Sequence, residues 1–145
     1  MPSGLENLQN LQKIHKLKAE PPDQVEFDGL VRSAQRKLPD AENATLSADS
    51  RFILAYDAAH SLALAALRWH GFRSEQRYIV FQVLRHTVSF PTEKWRFLDN
   101  CHMKRNVALY DGDYFADEQL IKELIAVAKE LHAAVKALGP VGSAG

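Results

Sequence analysis

Residues 51–71 read RFILAYDAAHSLALAALRWHG, and the fold turns on whether this stretch spans a membrane or fills a core. Asp57, His60, Ser61 and Arg68 interrupt the apolar run, so it fits a core helix of a soluble protein better than a transmembrane span. Ser47 or Ser50 can cap its start, and Gly71 can stop it after His70. Ala55, Ala58, Ala59, Ala63, Ala65 and Ala66 leave little side chain between neighbouring backbones. This is therefore the helix that others can approach most closely.

The flanking sequence also reads as helices. Leu5, Leu8, Leu11 and Ile14, with Leu17 beyond, mark an amphipathic segment that Pro21-Pro22 ends. Asp23 can cap a second helix through Val25, Phe27, Leu30, Val31, Ala34 and Leu38 toward Pro39, with Gly29 in its interior. Asp40 to Thr45 is a polar connector. A shorter helix is expected from about Ser74 to His86, although 77–84 is rich in β-branched and aromatic residues; an isolated strand there would have no sheet to join. Thr92, after Pro91, is a plausible cap for a helix to about Asp111, and Asp117 to Leu138 forms the last one. The expected fold is all-α: an antiparallel four-helix-type bundle of segments 24–38, 50–70, 92–111 and 117–138 with extra short helices. Residues 1–138 form one domain, and the Gly/Pro/Ser-rich 139–145 is expected to be a disordered tail.

At 145 residues and 46% hydrophobic, the chain can bury a core without covalent staples. Its one cysteine, Cys101, excludes an intramolecular disulfide and suits a reducing compartment. With no apolar leader at the N-terminus, the expected location is cytoplasmic, away from membranes. No His-x-x-x-His, Glu-x-x-His or Cys-x-x-Cys spacing and no glycine-rich phosphate loop occurs, so neither a metal nor a cofactor is expected. The formal net charge is zero, yet Arg68 to Arg105 holds eight Lys/Arg against three acids. Such an imbalance suits a polyanion or simply solvated helix faces.

The richest chemistry lies in Arg105-Asn106-Val107-Ala108-Leu109-Tyr110. Trp95, Leu98, His102, Arg105 and Leu109 follow steps of three or four, so one stripe mixes core residues with polar ones, which need partners. Asp99, His102, Asn106 and Tyr110 form a polar strip beside it. Arg105 can take either a carboxylate such as Asp57 or Asp99 or a phosphate. Asn106 serves equally to fix helix packing, Tyr110 to fill a core or interface, and His60 and His102 to sit as satisfied interior histidines. Trp69 and Trp95 read as core or interface anchors.

Two segments resemble the HEPN superfamily of small helical-bundle proteins: Phe52-x-x-Ala55-Tyr56-Asp57-Ala58-Ala59-His60, continuing to Leu67-x-x-x-Gly71-Phe72-Arg73, and Arg105-Asn106-x-x-x-Tyr110. The family motif is Arg, four to six residues, then His, commonly opening Arg-Asn; here Tyr110 stands where the His belongs. The resemblance implies a cytoplasmic homodimer associated with RNA or a nucleotide, in a toxin–antitoxin or defence and stress setting with an antitoxin protein as a possible partner. Active members look like metal-independent RNases that join Arg and His from two protomers. A phenol with an ordinary pKa of about 10 is a poor general base near neutrality, so a binding module without efficient catalysis is expected. The alternative is a metal-independent endoribonuclease using Arg105 with His102 or Tyr110. Ligand binding would fall to Arg105, Asn106, Asp99 and Lys104.

Overall fold

The computed structural model describes residues 3–74, 76–111 and 117–142, without the side chains of Arg77 and of residues 108–111. Its order is α1 (Gly4–Lys13), β1 (Lys18–Ala19), α2 (Gln24–Ala41), α3 (Ala48–Trp69), β2 (Phe72–Arg73), α4 (Arg77–Gln82), α5 (Leu84–Thr87), α6 (Thr92–Asp111) and α7 (Glu118–Lys136). The fold is all-α; the only ladder among the described residues is a two-residue antiparallel one, Lys18 opposite Arg73 and Ala19 opposite Phe72.

α3 occupies the centre, and α2 and α7 pack against it most extensively. The alanine pattern explains this position: Ala55, Ala58, Ala59, Ala63, Ala65 and Ala66 are all fully buried, with Phe52, Tyr56, Leu62 and Leu67 among them. Ser47 caps its start, Oγ accepting from Ser50 N at 3.2 Å. At its end Gly71 adopts φ 86°, a left-handed conformation costly for a side-chain-bearing residue. Asp23 and Asp117 cap α2 and α7 in the same way, accepting from Val25 N at 3.1 Å and Leu120 N at 2.7 Å. None of the described helices is long and apolar enough to cross a membrane.

Several local expectations give way. The first helix stops at Lys13, where His15 turns to φ 62°, and Leu17 is buried beside β1 rather than on a continuing helix. α2 runs on past Pro39 to Ala41, although proline there removes one helical N–H donor. The single helix expected over 74–86 is broken at Val83. Ile79, Val80, Phe81, Val83 and Leu84 are all buried, and one straight helix could not turn so many consecutive side chains inward. α6 includes Thr92 as its first residue, and the carbonyl of Pro91 accepts from Lys94 N at 3.0 Å and Trp95 N at 3.1 Å. Past α7 the chain folds back: Trp69 Nε1 donates to Gly139 O at 3.1 Å and Val141 N donates to Gln24 Oε1 at 2.7 Å. Residues 143–145 of the expected tail lie outside the described residues.

Candidate functional site

Three helices bring polar and aromatic side chains together beneath α6. Tyr56 comes from α3, Phe81 from α4, and His102, Arg105 and Asn106 from α6. The α3 spacing puts Tyr56 and His60 one turn apart on one face, and their rings stack at 6.2 Å between centroids. His102 lies near-parallel to Tyr56 at 6.3 Å, while Phe81 meets Tyr56 edge-on at 5.9 Å and His60 at 5.8 Å. Tyr56 is completely buried and His102 is 9% exposed, so their polar atoms need partners inside the protein.

Those partners engage both ring nitrogens of His102. Asn106 Nδ2 lies 3.2 Å from Nε2, and Tyr56 Oη, which can donate or accept, lies 2.9 Å from Nδ1. A base acting through Nε2 would first have to displace the Asn106 amide.

Arg105 is in a different condition. It is half-buried, with Cζ 5.3 Å from the centroid of the Tyr56 ring, a cation–π contact worth about 0.5–2 kcal/mol. Its Nε is buried and has no hydrogen-bond partner among the described residues. No described ion pair joins it to Asp57 or Asp99. Leaving such a donor unmatched costs about 1–3 kcal/mol, which an incoming acceptor would recover.

The other residues singled out by sequence divide by position. Asp99 is half-buried on the same stripe of α6 as His102 and Asn106. Lys104 is exposed and lines an apolar cleft of ≈ 320 Å³ with Phe97, Cys101, Met103 and Leu120, so it does not join the cluster. Burial in this wall pushes the Cys101 thiol up to about 12, which leaves it protonated and unreactive. The side chain of Tyr110 lies outside the described residues. Tyr56 and Phe81 were not identified as site residues from sequence, although the i, i+4 spacing of Tyr56 and His60 was a usable signal. Among the described residues no group of three or more His, Cys, Asp or Glu could hold a metal ion.

Arg68, read in the sequence only as an interruption of the apolar run and the start of a basic stretch, is the deepest charge among the described residues at 2% exposed. Its Nε donates to Glu26 Oε1 at 2.8 Å, Nη1 to Glu20 O at 3.0 Å and Phe72 O at 3.3 Å, and Nη2 to Pro21 O at 2.8 Å. Glu20 Oε2 completes the set at 3.2 Å from Nη2. Arg73 Nε donates to that same oxygen at 2.8 Å, and this bond holds the Glu20 carboxyl below its ordinary pKa. The network ties the 20–26 connection to the end of α3, a structural task. Arg51 does likewise at the other end of α3, donating to Ala41 O at 2.8 Å and Glu118 Oε1 at 2.6 Å.

No family model, curated protein or solved structure matches the chain.

Proposed function

We propose that the chain is a HEPN-like, RNA- or nucleotide-associated binding module, without efficient catalysis, whose Arg105–Asn106 end of α6 captures a phosphate group. The observation that carries this reading is the Arg105 guanidinium, laid on the Tyr56 ring with a buried Nε that has no acceptor among the described residues. A phosphate oxygen supplies that acceptor together with the opposite charge. The engagement of both His102 nitrogens by Tyr56 and Asn106 supports binding over proton transfer. In this reading the protein is a cytoplasmic homodimer of a toxin–antitoxin or stress system, with an antitoxin as a further partner. Leu98 and His102 are buried within the single chain, so the exposed Met103 and Val107 are the part of α6 left to a second copy.

The test is titration of short RNA and of a nucleotide against wild type and Arg105→Ala, with sedimentation reporting the oligomeric state. Removing one charge-assisted hydrogen bond should weaken phosphate binding about 10-fold or more with the fold intact. Unchanged binding with collapsed stability would make Arg105 a purely structural residue.

The second reading, a metal-independent endoribonuclease, is favoured by the closeness of His102 and Arg105 on one helix. It requires RNA cleavage that survives a chelator and is abolished in Arg105→Ala. Tyr110→His, which restores an imidazole with an ordinary pKa of about 6.5, should create or raise such cleavage if the family motif is otherwise functional.

A further inference from the structure

Near the start of α6, two guanidinium groups lie over one indole. Arg96 Cζ is 5.5 Å and Arg85 Cζ, from α5, is 5.9 Å from the centroid of the Trp95 ring. Both arginines are exposed, and Arg85 Nε also donates to His86 Nε2 at 3.2 Å. Neither takes part in an ion pair among the described residues, whereas Arg51, Arg68, Arg73, Lys94 and Lys129 all do. Among the described residues, the surface therefore gathers two positive charges on an aromatic ring with no ion pair to neutralise them.

Its position relative to the Arg105 cluster gives the surface a purpose. On the exposed side of α6, Arg96, Asn100 and Lys104 follow one another at steps of four, while Asp99 and the buried His102 lie on the adjoining side. At a rise of about 1.5 Å per residue, Trp95 and Asn106 are about 16 Å apart along the axis. One phosphate group cannot touch both ends, but a strand of several nucleotides can. Planar guanidinium and indole groups are the surfaces on which unpaired bases stack, and the arginine charges meet the intervening phosphates.

We infer that the Arg85–Trp95–Arg96 surface is a second binding site for single-stranded RNA, whose strand runs along α6 to the phosphate held at Arg105. The inference rests on the reading of Arg105 as a phosphate site, but its residues are separate and so is its test.

Fluorescence anisotropy at low salt would compare a labelled oligouridylate of about a dozen nucleotides with a 5′-phosphorylated uridine dinucleotide. The proteins are wild type, the double variant Arg85→Gln/Arg96→Gln and the single variant Arg105→Gln, each checked for folding by thermal melting. The double variant should bind the longer strand about 10-fold more weakly, with a log–log salt slope shallower by about 1.4, or about 0.7 for each single-strand phosphate that is no longer neutralised. Its dinucleotide binding should be unchanged, while Arg105→Gln should weaken both ligands. An unchanged slope in the double variant overturns the second site, as does equally tight wild-type binding to polyglutamate or to phosphatidylserine vesicles. If Arg105→Gln affects neither ligand while the double variant has the shallower slope, the Arg105 reading fails and this surface stands. If the wild type binds no oligouridylate, both are overturned.

Discussion

Arg68 and Arg105 are both carried by helices into the interior, and they end in opposite states of pairing. Every nitrogen of Arg68 has an acceptor, shared among two carboxylates and three carbonyl oxygens. Arg105 rests on a ring and keeps an unmatched buried Nε among the described residues. Arginine buried for structure recruits carbonyls from chain turns, because these hold the guanidinium and the backbone together in one geometry. Arginine beside a ligand site leaves part of its hydrogen-bonding capacity to the ligand. Burial alone does not separate the two uses; the identity of the partners does.

The largest effect expected from this contrast is on stability. Arg68→Ala should cost about 3–5 kcal/mol, since it strands the Glu20 and Pro21 carbonyls and deprives Glu26 of its buried partner. Arg105→Ala should cost only about 1 kcal/mol, because removing the cation–π interaction also removes an unmatched donor, and the second effect partly offsets the first. Urea denaturation of the two variants side by side measures both. Equal destabilisation would erase the distinction and return Arg105 to the structural class.

The same contrast shows what a sequence can and cannot display. Helical periodicity and capping residues are local, so the caps at Ser47 and Asp23, the start of α7 near Asp117, the stop at Gly71 and the alanine face of α3 were all legible. The β1–β2 ladder was not, because pairing Lys18 with Arg73 depends on residues far apart in the chain. The break at Val83 follows from a core that accepts Ile79, Val80, Phe81 and Leu84 together, a fact of packing rather than propensity. For the site, the polar stripe from His102 to Asn106 was visible on one helix. Tyr56, which closes it, arrives from α3, and Arg68 looked like an ordinary basic residue near a helix end until the 20–26 turn folded onto it.

Tyr56→Phe sharpens the comparison from within the cluster. The ring under Arg105 is kept and only the hydroxyl bonded to His102 Nδ1 is removed. Leaving that buried nitrogen without its partner should cost about 1–3 kcal/mol, seen as a lower denaturation midpoint. Phosphate binding should persist if Arg105 acts through its guanidinium. Abolished binding with little change in stability would instead mean that the tautomer of His102 is itself part of recognition.

The smallest effect expected is in the pH dependence of folding, and it belongs to residues outside both arginine sites. Burial pulls the pKa of His70 below its ordinary 6.5, against the opposing bond to Thr87 O at 2.8 Å. Burial also lowers His86, with Arg85 adding to the effect, and lowers His132, with Lys136 adding to it. Such a histidine binds its proton more weakly in the folded chain than in the unfolded one. Its contribution to stability is therefore present above about pH 6.5 and lost as pH falls from there toward the folded pKa. Glu20, lowered by Arg73, acts in a separate window: its contribution is present above 4.5 and disappears as pH falls through the folded value. The melting temperature should accordingly decline in two stages on acidification, the first blunted by His70→Gln and the second by Glu20→Gln. If Glu20→Gln blunted the first stage instead, the carboxylate network around Arg68 would be titrating near neutrality, and its description as fully paired would fail.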